Sequence, residues 1–287
     1  MIRLGLIGYP LSHSLSPLIH TAALHAAGLD GIYSLFPIPP DDKHGLKGLL
    51  ELVRIGEITG LNVTIPHKQH AIEFLDELTP TAQAIGAVNT IYVRNNKLIG
   101  ENTDAPGFLA DLKRFLTAEM QRHGVNRALV LGAGGSARAI VYALLKDGWE
   151  VTIAARRLEQ AQQLADYFAN YKLRITLFPP SPLHAKRRLY TLSLIINATP
   201  IGMTPNVDRS PWPENLSFPP HARIYDLVYN PQETKLVREA RAQGRPATTG
   251  LGMLVEQAAL AFEIWTGIHL SRDIMRASVE KSPVSNF

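Results

Sequence analysis

The chain has no cysteine, which excludes a disulfide framework, a thiolate zinc site and a thiol nucleophile. It also lacks any apolar run near the ~20 residues that a membrane-spanning helix needs. The short apolar stretch within Met1 to Pro10 is too brief for a secretory leader and reads as a strand. A soluble, cytoplasmic protein with no membrane partner is expected. Excess charge of one sign is scarce: 29 Lys and Arg stand against 25 Asp and Glu, a net charge of +4. The one basic cluster, Lys186-Arg187-Arg188, has no interleaved aromatics and reads as a solvated loop, so nucleic acid is not an expected partner. The ten histidines include no HExxH or comparable ligand spacing, and no metal is expected. No 20–50-residue repeat or low-complexity segment stands out.

What is present is enough apolar residue for two cores. A length of 287 residues with 46% hydrophobic composition exceeds the usual single domain, so two α/β domains with a cleft are expected. Leu4 to Gly8 reads as a strand, and Ser16-Pro17 as the N-cap and first-turn proline of a helix through Ala27. Leu61 to Ile65 reads as a buried strand stopped by Pro66, followed by helical spacing of Ala71, Ile72, Phe74 and Leu75. Val88 to Val93 and Lys97 to Gly100 read as a hairpin turning at Asn95-Asn96, because asparagine tolerates positive φ. A helix over Ala105 to Leu116 leads into a second unit. There Arg127 to Leu131, Glu150 to Ala154, Leu194 to Ala198, Arg223 to Val228 and Ala247 to Thr249 alternate with helices over Ala139 to Lys146, Leu158 to Tyr167 and Thr234 to Ala242. Such alternation predicts a parallel, doubly wound sheet. The Pro- and Asn-rich stretch from Pro200 to Pro220 predicts a surface loop. The last helices, Met253 to Thr266 and Arg272 to Glu280, follow Gly250 and by pattern alone suit either domain. The tail after Lys281 is expected to fray.

Gly132-Ala133-Gly134-Gly135-Ser136-Ala137 sits between a predicted strand and a predicted helix. In that context glycines let backbone N–H groups approach a pyrophosphate while the helix N-terminus adds partial positive charge. The next strand ends at Ala155-Arg156-Arg157, where an NAD site usually offers an acidic side chain to the ribose. Two guanidinium groups suit a 2′-phosphate instead, and NADP is the expected cofactor.

In the first domain Ser12, Ser14 and Ser16 alternate, so that an extended backbone would turn their hydroxyls to one side and toward a carboxylate or hydroxyl. Asn62 and Thr64 share a strand face, with Lys68 just beyond its carboxyl end. Lysine beside a carbonyl can donate a proton or stabilise an alkoxide as hydride arrives, and Asp104 offers a carboxylate to orient it. His67 suits lining the strand end and acting chemically equally well.

The combination of these motifs resembles the shikimate dehydrogenase family from first strand to last helices. The matching stretches are Ser12 to Pro17, Asn62 to Lys68, Gly86 to Thr90, Asn102 to Asp104, the Gly132 loop, Asn197 to Met203, Tyr225 to Pro231 and Gly250 to Gln257. The resemblance implies reduction of 3-dehydroshikimate to shikimate with NADPH on the route to chorismate and the aromatic amino acids. It implies Lys68 and Asp104 as the catalytic pair, with Ser14, Ser16, Asn62, Thr64, Asn89, Tyr229 and Gln257 on the substrate side. The Gly132 to Ala137 loop, Arg156, Arg157, Asn197, Thr199, Met203, Gly250 and Met253 would lie toward the cofactor or the rim of the cleft. It further implies that the C-terminal helices return to the substrate domain, giving a substrate domain of 1–104 with 250–287 and a Rossmann-like NADP domain of 105–249. One departure stands out. NADP-using members commonly carry Asn-Arg-Thr after the second strand and an Arg three residues on, whereas this chain has Ala155-Arg156-Arg157 and Gln160. The alternatives are a quinate/shikimate dehydrogenase with relaxed cofactor use, a one-carbon folate dehydrogenase of similar arrangement, and a non-catalytic binding protein of the same fold. A monomer or homodimer is expected.

Overall fold

A short apolar strand followed by a helix is the repeating device in both halves of the chain. The computed structural model describes residues 1–116, 126–171, 173–177 and 191–280. The Lys186 to Arg188 cluster and the tail after Lys281 lie outside these residues. Two units are formed, one of Met1–Gly107 with Leu254–Phe287 and one of Phe108–Met253. No helix among the described residues is long and apolar enough to cross a membrane.

In the first unit the order is β1 (Ile2–Gly8), α1 (Ser16–Ala26), β2 (Gly31–Pro37), α2 (Lys43–Arg54), β3 (Gly60–Val63), α3 (His67–His70), β4 (Glu77–Leu78), α4 (Pro80–Ile85), β5 (Thr90–Arg94), β6 (Lys97–Glu101) and the start of α5 (Asp104–Phe115). The sheet runs β2-β1-β3-β5-β6-β4. β1, β2 and β3 are parallel, and β5 enters antiparallel to β3 with Asn62 opposite Thr90. The β5–β6 hairpin turns at Asn95 and Asn96, with φ of 52° and 61°, as the asparagine pair predicts. Helix α2 places Leu46, Leu49, Leu50 and Val53 on one face against Ile7, Leu61 and Ile91. Each such buried leucine contributes ~2 kcal/mol by removal of apolar surface from water.

The second unit continues with β7 (Arg127–Leu131), α6 (Gly135–Lys146), β8 (Glu150–Ala155), α7 (Leu158–Tyr167), β9 (Leu173–Leu177), β10 (Leu194–Asn197), β11 (Arg223–Asp226), α8 (Lys235–Ala242) and β12 (Ala247–Thr249). Every pairing is parallel and the order is β12-β11-β10-β7-β8-β9. This is the doubly wound dinucleotide-binding order, with its switch point between β7 and β10. Its central strands β7, β10 and β11 are buried nearly throughout, as a sheet covered on both faces requires. The chain then enters α9 (Leu251–Thr266) and α10 (Arg272–Glu280), which from Leu254 onward belong to the first unit.

Several local expectations are corrected. Ser16 is not an N-cap: Leu15 precedes the helix with φ −86° and ψ −5°, so Ser16 is already helical and no side chain caps α1. Capping requires an extended residue, which this turn does not provide. The serine loop is likewise a turn rather than extended, with the Ser14 N–H bonded to the Leu11 carbonyl at 3.0 Å. The segment after Pro66 begins earlier than expected, as α3, and tightens into a 3-10 turn over Ala71–Phe74.

Candidate active site

In the first unit, parallel β1 and β3 end side by side, the Thr64 N–H donating to the Ile7 carbonyl at 2.8 Å and the Tyr9 N–H to the Ile65 carbonyl at 2.9 Å. The serine loop therefore leaves the sheet next to the Asn62 to Lys68 segment. Ser14 Oγ accepts the Ser16 N–H at 3.3 Å. Ser12 is exposed, Ser14 and Thr64 are partly exposed and Ser16 is buried. Past Pro66 the chain coils, and the Lys68 carbonyl accepts the Val88 N–H at 2.7 Å, pinning α3 to the residues that lead into β5.

Lys68 and Asp104 meet as a buried ion pair, Nζ to Oδ2 at 2.5 Å, with side chains only 11% and 6% exposed. Charges this far from water persist only when further hydrogen bonds complete them. Asn89 supplies one, its Nδ2 donating to Asp104 Oδ1 at 2.9 Å. The same amide reaches Thr103 Oγ1 at 2.9 Å and Gln257 Oε1 at 3.3 Å. Its Oδ1 accepts the Thr103 N–H at 2.7 Å, so Asn89 is held from both ends. Asn102 bonds the Ala87 carbonyl and accepts the Ala105 N–H, which fixes the turn from β6 into α5 and aims Asp104. Gly107 has a separate purpose. A Cβ there would lie 2.8 Å from the Gln257 nitrogen, so only glycine allows the first turn of α5 to approach α9 where Gln257 sits. Asn62 is 4% exposed, accepting from Tyr33 Oη at 2.8 Å and donating to the Asn89 carbonyl at 3.1 Å and Thr90 Oγ1 at 3.4 Å. His67 is a packing residue whose Nε2 bonds the Ile38 carbonyl at 2.7 Å. Sequence reasoning does not single out Thr90, Thr103 or Tyr33. Nor does it find the Gly31–Pro37 strand, although its Ile, Tyr and Phe content and terminal proline are the available signals.

In the second unit the carboxyl ends of β11, β10, β7 and β8 are neighbours, and each carries part of the second constellation. Gly132, after β7, has φ +109°, and a Cβ on it would lie 3.0 Å from the Ala198 carbonyl oxygen and from Thr199. Gly134 precedes α6 and no side chain caps that helix, the arrangement in which a helix N-terminus can meet an anion. Gly134 is exposed, Ala133, Gly135 and Ser136 are partly exposed, and Ala137 is buried, which lets α6 pack against the sheet. After β10, Asn197 is fully buried and donates to Asp226 Oδ1 at 2.8 Å, while its Oδ1 accepts from the Thr199 N–H and hydroxyl at 3.0 and 2.6 Å. Burial pushes the Asp226 carboxyl up to about 6, against hydrogen bonds from Thr234, Val228 and Asn197 that favour its charged form. Arg156 and Arg157, after β8, are exposed and form no ion pair among the described residues. Met203 is exposed while Gly250 and Met253 are buried. Tyr229 is partly exposed as a residue, yet desolvation of its hydroxyl raises its pKa to about 12. The glycine cradle, uncapped helix and adjacent guanidinium groups have the donor set that a dinucleotide with an additional phosphate requires.

Three family models cover most of the chain: the shikimate dehydrogenase substrate binding domain over residues 6–91, shikimate / quinate 5-dehydrogenase over 115–201, and the shikimate 5'-dehydrogenase C-terminal domain over 250–280. The chain belongs to the shikimate dehydrogenase family. A curated relative from Desulforamulus reducens, named shikimate dehydrogenase (NADP(+)), is 39% identical over 282 residues, covering 96% of this chain and 94% of its own. The solved shikimate 5-dehydrogenase of Thermus thermophilus, in complex with NADP(H) and shikimate, superposes with a TM-score of 0.83 at 40% identity, covering 98% of this chain and 99% of its own. A shikimate dehydrogenase solved in complex with NADP+ gives 0.85 at 37% identity, covering 98% of this chain and 95% of its own. Within this family the Lys68 cluster lies in the part of the chain matched by the substrate binding domain and the stretch just after it.

Proposed function

We propose that the chain is an NADP-dependent shikimate dehydrogenase, interconverting 3-dehydroshikimate and shikimate on the route to chorismate and the aromatic amino acids. The observation that carries this reading is the buried Lys68–Asp104 pair completed by Asn89, in a chain of which 96% matches a curated member of that family. NADP, when bound, carries the hydride to or from C3 of the ring. The residues of the chain handle the proton and the substrate. In reduction Lys68 Nζ gives a proton to the C3 oxygen as it becomes an alcohol; in oxidation it takes that proton back. Asp104 orients the ammonium and accepts the neighbouring ring hydroxyl. Ser14 and Ser16 hold the substrate carboxylate through hydroxyl donors, and Thr64, Asn89, Gln257 and Tyr229 line the ring. Arg156 and Arg157 receive the 2′-phosphate, while the Gly132 to Ala137 loop receives the pyrophosphate. Asn197, Thr199, Met203, Gly250 and Met253 border the nicotinamide. A cytoplasmic setting and action as a monomer or homodimer, with no nucleic-acid partner, belong to the same reading.

Initial rates of the purified protein with shikimate or quinate and NADP or NAD, followed by nicotinamide absorbance, test it. Turnover with shikimate and NADP well above the other three combinations is the expected result. Comparable rates with quinate or NAD identify a dual-specificity enzyme, and no rate in any combination overturns the assignment.

A further inference from the structure

Asn62 sits inside the substrate site by sequence, yet both hydrogens of its amide and one lone pair of its Oδ1 are taken up by partners within the protein. Its amide orientation is dictated from the Asn89 side. A backbone carbonyl only accepts, so Nδ2 must face it, at 3.1 Å, and Oδ1 is turned to the Tyr33 hydroxyl at 2.8 Å. Tyr33 stands two strands away on β2, on the far side of β1, and its ring lies flat against His20, with centroids 4.4 Å apart and planes 3° from parallel. His20 is fully buried on α1, four residues after Ser16, and also packs on Trp265 of α9 at 5.4 Å. Trp265 Nε1 in turn donates to the Ile91 carbonyl at 3.1 Å, on the same strand that Asn89 leads into. Neither ring nitrogen of His20 meets a hydrogen-bond partner, so His20 serves this stack as a neutral ring. Burial holds its pKa down at about 3 and outweighs the opposing influence of Asn62.

We propose that Tyr33 is a positioning residue of the substrate site: its hydroxyl fixes the Asn62 amide, and through Asn62 the backbone of Asn89, so that the Asn89 side chain stays on Asp104 and Gln257. This rests on the reading that Asn89 contacts the substrate. The alternative is that Tyr33 serves packing alone, through its ring on His20.

Tyr33→Phe separates the two, because it keeps the ring and removes only the hydroxyl. The buried Asn62 oxygen then loses the hydroxyl that donates to it, and the expected effect is a ~10-fold rise in KM for shikimate, with kcat changed by less than ~3-fold and KM for NADP unchanged. Because Tyr33 acts through Asn62, the double variant Tyr33→Phe/Asn62→Ala has the same KM as Asn62→Ala alone. The side-chain amide resonances of Asn62 and Asn89, followed by NMR in the free protein, move in Tyr33→Phe and report the effect without turnover. An unchanged KM with unmoved amide resonances overturns the proposal, whatever happens to the melting temperature; so does a KM effect that adds fully to that of Asn62→Ala. If the wild-type protein turns over no shikimate while the amide resonances still move, the enzymatic assignment fails and the positioning of Asn89 by Tyr33 stands.

Discussion

In the first unit Lys68, Asp104, Asn89 and Asn62 are each 9% exposed or less and hold one another by side-chain hydrogen bonds. In the second, the corresponding features are backbone: a glycine at φ +109°, an uncapped helix start and four strand ends, with the charged groups Arg156 and Arg157 out in solvent. On the proposed function, the difference follows from what each unit would meet. Proton transfer needs one ion pair whose geometry is set before substrate arrives, which burial and a closed hydrogen-bond network provide. A dinucleotide presents phosphates that many N–H groups can share, so close backbone approach matters more than any one side chain. Substitutions should therefore fail differently in the two units.

The largest effect is expected at Lys68. Lys68→Ala removes the proton donor and leaves Asp104 buried without its cation, and kcat should fall ~100-fold or more while KM for shikimate changes little. Steady-state kinetics at saturating NADP check this, and undiminished turnover would remove Lys68 from the chemistry. Next in size is a backbone lesion in the second unit. Gly132→Val places a branched side chain at φ +109°, with its Cβ 3.0 Å from the Ala198 carbonyl, a strain worth roughly 1–3 kcal/mol. We expect NADP affinity to drop ~10- to 100-fold, measured by quenching of protein fluorescence, with shikimate binding unaltered. Equal losses for both ligands would mean that the two sites are not separable in this way. A smaller, more selective change is expected from Arg156→Ala: about a 10-fold loss in preference for NADP over NAD, from lost guanidinium–phosphate bonds. The melting temperature should not move, because the side chain is exposed.

The same contrast explains which parts are legible in the sequence. A parallel strand buried on both faces reads as an unbroken apolar run, so Arg127–Leu131 matches its expected bounds, and helix Leu158–Tyr167 and edge strand Ala247–Thr249 match theirs from the strand–helix alternation around them. The first unit is harder to read. Helix α2 has its apolar positions at helical spacing, but Gly45 and Gly48 weaken its propensity and hide it. The two-residue β4 offers no pattern at all, and β9 lies at a sheet edge with few flanking signals. Lys68 and Asp104 pair on residue chemistry alone, and their contact needs only the ends of β3 and β6 to converge. Tyr33 and His20 do not stand out, because a buried tyrosine or histidine looks like any core residue until its hydrogen bonds are seen. Asn62 falls among the substrate residues by its motif, whereas its partners in the fold are Tyr33, Asn89 and Thr90.

The smallest effect on turnover is expected from two groups that act on stability through pH, where the two units have opposite signs. His20 titrates near 3 in the fold against an ordinary 6.5, so as pH falls below 6.5 the unfolded chain takes the proton first. The first unit keeps this contribution above 6.5 and loses it progressively in acid. Asp226 titrates near 6 in the fold against an ordinary 3.8, so the folded form holds the proton between these values. The second unit is favoured below about 4 and loses up to ~3 kcal/mol as pH rises to about 6, with no further change above it. Asp226→Asn cannot ionise and removes that slope. Relative to wild type, its melting temperature should be several degrees higher at about pH 7.5 than at about pH 4.5, once the pH-independent cost of altered hydrogen bonds to Thr234 and Val228 is subtracted. His20→Phe, which keeps an aromatic ring over Tyr33, should instead gain on wild type as the medium is acidified. Hydrogen exchange at about pH 5 assigns each change to its unit: lost protection in the sheet around β1 is the His20 effect, and it should vanish in His20→Phe. A wild-type difference from Asp226→Asn that stays constant across this pH range would mean that Asp226 is ionised in the fold throughout, held as an anion by Asn197, Thr234 and the Val228 N–H.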